Sequence, residues 1–400
     1  MLDKVLLVND LARCGGTEVQ HWMEFELLRR KGHEVVSLTF DPAEREFLDG
    51  DKLNLPISQN PFEKAICKLF KSCYYAKIAQ LVDSVQPDVI HLNNNIKVPI
   101  DVYDVCSRYP AVQTIRDYGA VCPKSTCADS NWHQCYGFKG FSKCLSCGPS
   151  FNEKIKAASY ASLLKKRMSS VNLFVAPSKA LCRTCGHVGL EVEPVNDAAS
   201  EDLINKPIFG AKKQRDYLFY GGVRRIKGVV ELINAFDALV KIRGNRRLLI
   251  AGKVESDFEK EFDGLLASRP YVKYLGLLDR DAAMRQVVDA YCVVVPSLWI
   301  ENYPNTVLEA MCLGTLVVGA DRGGIPEMID DDNLVFDVLD DNSIIECLVR
   351  VDGFDAVDYA QIVRRNKERV RLVNTPDCYY TKIVDSFKRA KIRHRDVSGA

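Results

Sequence analysis

No apolar run in this chain approaches the ~20 residues a bilayer-spanning helix needs, which argues against a transmembrane segment. An excess of one charge is also missing. Fifty-four Lys and Arg against 53 Asp and Glu leave a formal net charge of +1, so bulk charge gives no case for nucleic acid. There is no short-period repeat and no low-complexity segment. No G-x-G-x-x-G follows the first apolar run, so a nicotinamide fingerprint is not supported. The opening "MLDKVLLVND" has a short apolar run that stops at Asn9 and Asp10, unlike a secretory leader. A cytosolic protein is therefore expected.

Cysteine is abundant: the chain has 15, of which 11 precede residue 200. In the cytosol this points away from a disulfide framework and towards buried thiols or metal. The length of 400 residues exceeds one typical core, so two domains are expected. Hydrophobic residues at 47% and charged residues at 27% suit a soluble globular chain.

The first half alternates strands and helices. "KVLLV" (4–8) is a continuous apolar run, the mark of a strand buried on both faces. A helix is predicted over 17–31, with Thr17 as its cap, Glu18 at its positive end and Gly32 as its stop. Further strands are predicted at 34–40, 87–93, 111–115 and 171–178. The second half restarts the pattern at "DYLFYGG" (216–222). A helix follows from Gly228 to Val240, then strands at 246–252, 271–276, 292–297 and 315–320. The polar stretch 205–216 reads as a linker. These alternations imply an α/β protein with two doubly wound, Rossmann-like domains, 1–205 and 215–375. A tail helix at about 377–393 is expected to pack back on the first. Such sheets bind ligands outside the carboxyl ends of their strands, so a cleft between facing domains is the expected site.

The most informative stretch is "WIENYPNTVLEAMCLG" (299–314). A strand, a loop and a proline suited to a first helical turn precede an apolar helix. The uncapped N–H groups near Asn302, Tyr303, Pro304, Asn305 and Thr306 make an anion site. Glu301 lies in the loop and Glu309 on the helix. A carboxylate accepts hydrogen bonds well from a vicinal diol. Glu309 is therefore assigned to a ribose and Glu301 to sugar hydroxyls. Two bare surface glutamates are the plainer alternative.

The run "ENYPNTVLEAMCLGTLVVGADRGGIPEMI" resembles the donor-binding signature of the retaining glycosyltransferases of family 4, which have the GT-B fold. "GGTE" (15–18), "RRKGHEV", "PDVIHLNN", "APSKAL", "KGVVELINAF" and "YLGLLDRDAAMRQVVDAYCVVVPS" are similar in the same order, over roughly residues 4–345. The resemblance implies a first domain that binds the acceptor and a second that binds a nucleoside-diphosphate sugar. It implies that Lys227, in its "KG" pair, neutralises the donor diphosphate, where leaving-group charge grows. The family's arginine five positions earlier is replaced by Gly222, so Arg224 or Arg225 is expected to supply the second cation. Gly15 and Gly16 would let backbone approach a phosphate or sugar. Arg116 stands where relatives place a histidine. It would serve as a catalytic-site donor to an anionic group but not as a base, the alternative being a structural pair with Asp117. His91 and Asn93 to Asn95 receive no role.

Five cysteines fall within 122–147. The C-x2-C pair with two more upstream suits zinc's preference for four thiolates, and Cys122, Cys135, Cys144 and Cys147 are the expected ligands of a structural zinc in this insert. Reduced thiols in a lid are the alternative, and "CRTC" (182–185) reads as helix surface. The basic, aromatic helical patterns at 63–80 and 153–168 suit either solvated core helices or contact with an anionic membrane face.

Together these readings predict a retaining glycosyltransferase that moves a sugar from a nucleoside-diphosphate sugar to a glycan or lipid-linked acceptor in surface-polysaccharide assembly. It would be cytoplasmic, with room for peripheral contact at the inner membrane face, would need no cofactor for catalysis and would bind no nucleic acid. The alternatives are another GT-B enzyme, a nucleotide-sugar epimerase or phosphorylase, or a non-catalytic nucleotide-sugar-binding protein.

Overall fold

The structure is a computed structural model that describes residues 3–12, 16–46, 50–58, 60, 63, 74–93, 99–138, 141–147, 160, 162, 164–208 and 215–398. Gly15, Asn94 and Asn95, much of 63–80 and most of 153–168 lie outside the described residues. The chain divides into two compact units. The first comprises 1–130, 135–197 and 376–400, and the second 131–134 and 198–375.

The first unit holds a seven-stranded parallel sheet in the order β3-β2-β1-β4-β5-β6-β7. Its strands are β1 Lys4–Asn9, β2 Glu34–Thr39, β3 Lys52–Asn54, β4 Val89–Asn93, β5 Ala111–Thr114, β6 Leu173–Ala176 and β7 Glu193–Pro194. β4 and β5 are buried along their whole length. Their polar residues, His91, Asn93, Gln113 and Thr114, are buried together with the apolar ones. Helix Gly16–Arg30 starts earlier than expected, so Thr17 lies inside its first turn instead of capping it. Gly32, at φ 90°, follows that helix as predicted.

The second unit holds a six-stranded parallel sheet in the order β10-β9-β8-β11-β12-β13. These are β8 Asp216–Tyr220, β9 Arg247–Ala251, β10 Val272–Gly276, β11 Cys292–Val295, β12 Leu316–Ala320 and β13 Val335–Phe336. Its core joins Leu218, Phe236, Ile250, Val294 and Val318 in one continuous cluster. Each such fully buried side chain contributes about 1.5–3 kcal/mol. The chain enters this unit at Ala198, upstream of residue 205, because helix Glu201–Asn205 packs on helix Asn305–Leu313.

The last helix, Pro376–Ser398, packs on β4, β5, β6 and helix Gly16–Arg30 of the first unit. It is longer than its sequence pattern suggested. Its polar end stays helical and is held to the sheet by Arg393, which donates to the Asn172 carbonyl (3.1 Å).

In each sheet the strand order reverses beside the first strand: between β1 and β4 in one, between β8 and β11 in the other. The loops leaving those strands diverge to opposite sides and leave space outside the carboxyl ends.

Candidate functional site

Two loops flank the reversal point of the second sheet. After β8 the chain runs through Gly221 and Gly222 into a short 3-10 turn, Arg225–Lys227, and then helix Val229–Arg243. After β11 it runs through Ser297 and Glu301 into helix Asn305–Leu313. The loops are tied by the Trp299 N–H, which donates to the Ile226 carbonyl (2.9 Å). Gly228 permits this approach. At φ 71°, a Cβ there would lie 1.6 Å from the Pro296 carbonyl oxygen.

This packing brings Lys227 to Glu301. The ammonium lies 2.6 Å from Glu301 Oε1, and Ser297 donates to the same oxygen at 2.8 Å. The Lys227 side chain is 32% exposed and that of Glu301 12%, so the pair faces a partly screened, ligand-accessible surface. The loop after β12 fixes Glu301 from behind. The Gly324 N–H donates to the Glu301 carbonyl at 2.7 Å. A Cβ on Gly323 (φ 61°) would sit 1.9 Å from that carbonyl oxygen.

Glu309 lies one turn inside helix Asn305–Leu313 and is nearly buried. Its two oxygens have different partners. The Tyr220 hydroxyl, at the end of β8, donates to Oε2 (2.8 Å), and Arg280 reaches Oε1 (3.0 Å). Burial and the neighbouring carboxylate hold the Tyr220 hydroxyl far above its ordinary pKa, so it remains a donor. Pro304 lies outside the helix, at the cap position, and Asn305 is the first helical residue. No side chain caps this end, which leaves its first N–H groups directed outward. Tyr303 accepts from Asn374 Nδ2 at 2.8 Å, which anchors the loop.

Arg224 and Arg225, the two cations expected beside Lys227, are placed differently. Arg225 is turned to Glu261 and lies over the Phe258 ring. Arg224 crosses the space above Gly222: its Nε is 3.4 Å from where a residue-222 Cβ would stand, and 3.6 Å from Glu255. A Cβ at 222 would stand in ordinary van der Waals contact with the Arg224 side chain.

In the first unit Arg116 is buried, with a side chain only 4% exposed. Its Nε donates to Asn93 Oδ1 (2.8 Å), and Nη1 donates to Asp197. The sequence alternative that paired it with Asp117 is corrected. Asp117 instead caps the turn Tyr118–Ala120, accepting from the Gly119 N–H at 2.6 Å. Nor does the guanidinium occupy an open surface, as the expected sugar or phosphate contact required. His91 joins the same buried network: Nδ1 donates to Glu24 (2.6 Å), and Nε2 lies 2.7 Å from the Thr114 hydroxyl. Tyr379 of the last helix donates to the other Glu24 oxygen (2.8 Å). Burial alone would raise the Glu24 pKa. The His91 charge and the hydrogen bonds from His91 and Tyr379 outweigh it and hold the group low. Gly16 is exposed as the first residue of its helix.

Sequence reasoning missed Ser297, Tyr220, Arg280 and Gly323. Tyr220 and Ser297 did carry a signal, since each lies at a strand end beside the reversal point. Arg280 and Gly323 carried none, because only the packing of separate loops gives them their partners. Among the described residues no helix is long and apolar enough to cross a membrane.

Comparison with known proteins bears on this geometry. Residues 201–350 match the family described as glycosyl transferases group 1. An uncharacterized 42.6 kDa protein in the cps region of Klebsiella pneumoniae is 25% identical over 354 residues, covering 81% of this chain and 87% of that one. An uncharacterized glycosyltransferase of Methanocaldococcus jannaschii is 34% identical over 113 residues, 28% of each chain. Among solved structures, sucrose-phosphate synthase from Thermosynechococcus elongatus superposes with a TM-score of 0.70 at 14% identity, over 96% of this chain and 98% of that one. The Anabaena protein HepE, in complex with UDP and glucose, gives 0.68 at 15% identity over 96% and 99%. The fold, two parallel Rossmann-like sheets, is thus that of GT-B glycosyltransferases.

Proposed function

We propose that this chain is a retaining glycosyltransferase that takes a sugar from a nucleoside-diphosphate donor and passes it to a glycan or lipid-linked acceptor. One observation carries the reading: the Lys227–Glu301 pair at the reversal point of the second sheet, beside a helix start without a side-chain cap and the nearly buried Glu309. The cation and the outward N–H groups fit a diphosphate, Glu301 fits sugar hydroxyls and Glu309 fits a ribose.

In this reading Lys227 leaves Glu301 for the diphosphate, and Glu301 is released to the sugar hydroxyls. Arg224, across Gly222, adds the second positive charge. Both cations act on charge that develops as the glycosidic bond breaks, where preorganised donors stabilise the transition state most. Glu309, held by Tyr220, accepts from the ribose diol. Front-face attack by the acceptor hydroxyl, with its proton passing to the leaving diphosphate, needs no protein nucleophile and retains configuration. Arg116, buried against Asn93 and Asp197, is assigned a supporting role in the first unit.

The solved complexes of HepE with UDP and with UDP-glucose support a nucleotide-sugar donor. The relative from a cps region supports surface-polysaccharide assembly as the setting. The test is calorimetric titration of a panel of nucleotide sugars into the native protein and Lys227→Ala. The native protein should bind one donor class, and the variant should bind it more weakly by about 1.5–3 kcal/mol, the range for a charge-assisted contact. Identical titrations for both proteins would remove the assignment.

A further inference from the structure

Spacing and structure disagree at the cysteine-rich insert. Cys122, Cys135, Cys144 and Cys147 line one pocket of ≈ 200 Å³, while Cys127 lies outside it and is fully buried. Among the described residues, however, no three Cys, His, Asp or Glu side chains converge closely enough to hold an ion. The zinc set expected from the spacing is therefore not assembled. The insert supplies something different. Four of its residues, Asn131–Gln134, belong to the second unit, although the chain on either side of them belongs to the first.

Trp132 is the anchor of that segment. It is half-buried and packs against the apolar core of the second unit. Its backbone is left-handed, at φ 64°. A bulky residue rarely adopts this conformation, which persists where the surroundings hold it. Arg322 is one such hold, since its Nη1 donates to the Trp132 carbonyl at 3.0 Å. Arg322 is itself buried, and its Nε has no partner. A buried guanidinium is costly unless it is bonded, so the Trp132 carbonyl decides where this one rests. Arg322 in turn stands in the loop that supports Glu301. Its N–H donates to the Ala320 carbonyl (2.7 Å), its carbonyl accepts from the Ile325 N–H (3.3 Å), and the Asp321 N–H donates to the Phe336 carbonyl (2.7 Å). These bonds close 320–325 into a tight turn, and the same turn carries Gly323 and Gly324 against the Glu301 carbonyl.

We propose that Trp132 and Arg322 are positioning residues for sugar transfer: the insert segment braces the turn 321–324, and the turn sets Glu301. The inference rests on the reading of Glu301 as the carboxylate that orients the sugar. Both residues act through Glu301, and neither is assigned a contact with the donor. Glycine would take φ 64° without cost. Tryptophan at that position is accounted for by its ring, which ties the turn to the core of the second unit. Small displacements matter here, because a shift of about 1 Å in a substrate-orienting group costs on the order of a hundredfold in rate.

The test uses the full chain. Hydrogen exchange read by mass spectrometry follows the peptide containing 321–325 and needs no ligand. Arg322→Met keeps the aliphatic stem and deletes the donors. Trp132→Gly keeps the carbonyl, suits the left-handed backbone and removes the ring. Each variant should speed exchange in that peptide at least about threefold, with β8 and β9 exchanging as in the native chain. Arg322→Lys, which still donates to a carbonyl, should lie between. Release of nucleoside diphosphate from UDP-glucose or GDP-mannose, whichever the native chain cleaves, should fall about ten- to hundredfold in Arg322→Met, while affinity for bare UDP or GDP stays within about twofold. Unchanged exchange in both variants would overturn the proposal, as would faster exchange with native release of diphosphate. Slower exchange in Trp132→Gly would show that the ring braces nothing. A native chain that binds neither UDP nor GDP would instead sink the transferase reading, and with it the role given to Glu301, even where exchange comes out as expected.

Discussion

Lys227 and Glu301 neutralise each other across 2.6 Å. A diphosphate arriving at this ammonium must therefore displace a carboxylate. Glu301→Gln removes that competitor. We expect the variant to bind a bare nucleoside diphosphate several-fold more tightly than the native protein, while turnover of the sugar donor falls at least about tenfold. Calorimetry and steady-state kinetics on the same preparation separate the two effects. Weaker binding of the bare diphosphate would mean that the pair is only a scaffold.

Tyr220 and Arg280 hold opposite oxygens of Glu309, but they differ in exposure. Tyr220→Phe deletes a hydrogen bond to a nearly buried carboxylate, and nucleoside affinity should fall by about 0.5–1.5 kcal/mol. Arg280→Ala should change it by no more than about 1 kcal/mol, since the arginine side chain is 57% exposed and screened by water. A nucleoside titration that ranked the two variants in the reverse order would contradict this division.

Gly323→Ala tests the loop behind Glu301. The added Cβ would meet the Glu301 carbonyl, so the loop must move. On the proposed reading, sugar transfer should collapse, while a nucleoside placed at Glu309 should bind with near-native affinity. Kinetics that leave kcat/KM unchanged would show that the loop tolerates the shift.

Asp197→Ala leaves the buried Arg116 guanidinium without its carboxylate. Loss of one member of a buried pair costs about 3–5 kcal/mol. Urea unfolding should show that loss, and an Arg116→Met, Asp197→Leu double variant should recover most of it. A single variant within about 1 kcal/mol of native stability would mean that the pair is dispensable.

His21 predicts an acid limb in the stability curve. Burial is the largest cause that holds its pKa down, from 6.5 to about 4; Glu24 opposes it, while His91 and Arg116 add to it. The folded chain therefore refuses a proton that the unfolded chain accepts. Stability from this group is complete above about 6.5, is lost as pH falls from there towards 4, and loses nothing further below. His21→Gln, which keeps a polar partner for Ser37 (2.8 Å from the ring in the native chain), should flatten that window. Thermal melts at closely spaced pH values would measure it. An unchanged slope between about 6.5 and 4 would remove His21 as its cause, since Glu24, whose pKa is depressed from 4.5, loses its contribution only below that value.

Much of the geometry of the candidate site was legible because its parts are local in sequence. The strand, proline and helix of 292–313 follow one another without a break, so Glu301 and Glu309 could be placed on a loop and a helix from spacing alone. Gly228 and Lys227 were legible for the same reason. Their exact partners were not, since Ser297 and Tyr220 meet the two carboxylates only after β8 and β11 become neighbours.

Arg116 marks the limit more sharply. Its neighbour in sequence, Asp117, was the available structural partner, yet the backbone at Asp117 is extended and turns that carboxylate to its own loop. The charge that pairs with Arg116 comes from Asp197, 81 positions away. A buried guanidinium requires a carboxylate, but sequence cannot say which of the chain's acids the sheet will bring to it.

The sequence by itself determined the two parallel sheets, the main strands along the chain and the cysteine-rich insert. Apolar runs of strand length, stopped by glycine and alternating with helical periods, admit few other arrangements. Tertiary structure alone decided which charges meet. It closed Lys227 onto Glu301, folded Arg224 over Gly222, buried Arg116 against Asp197 and set four thiols around one pocket while hiding the fifth. The physical reason is range. Hydrophobic periodicity acts within a dozen residues, whereas an ion pair or a ligand set depends on strands and loops that only the assembled sheet makes adjacent.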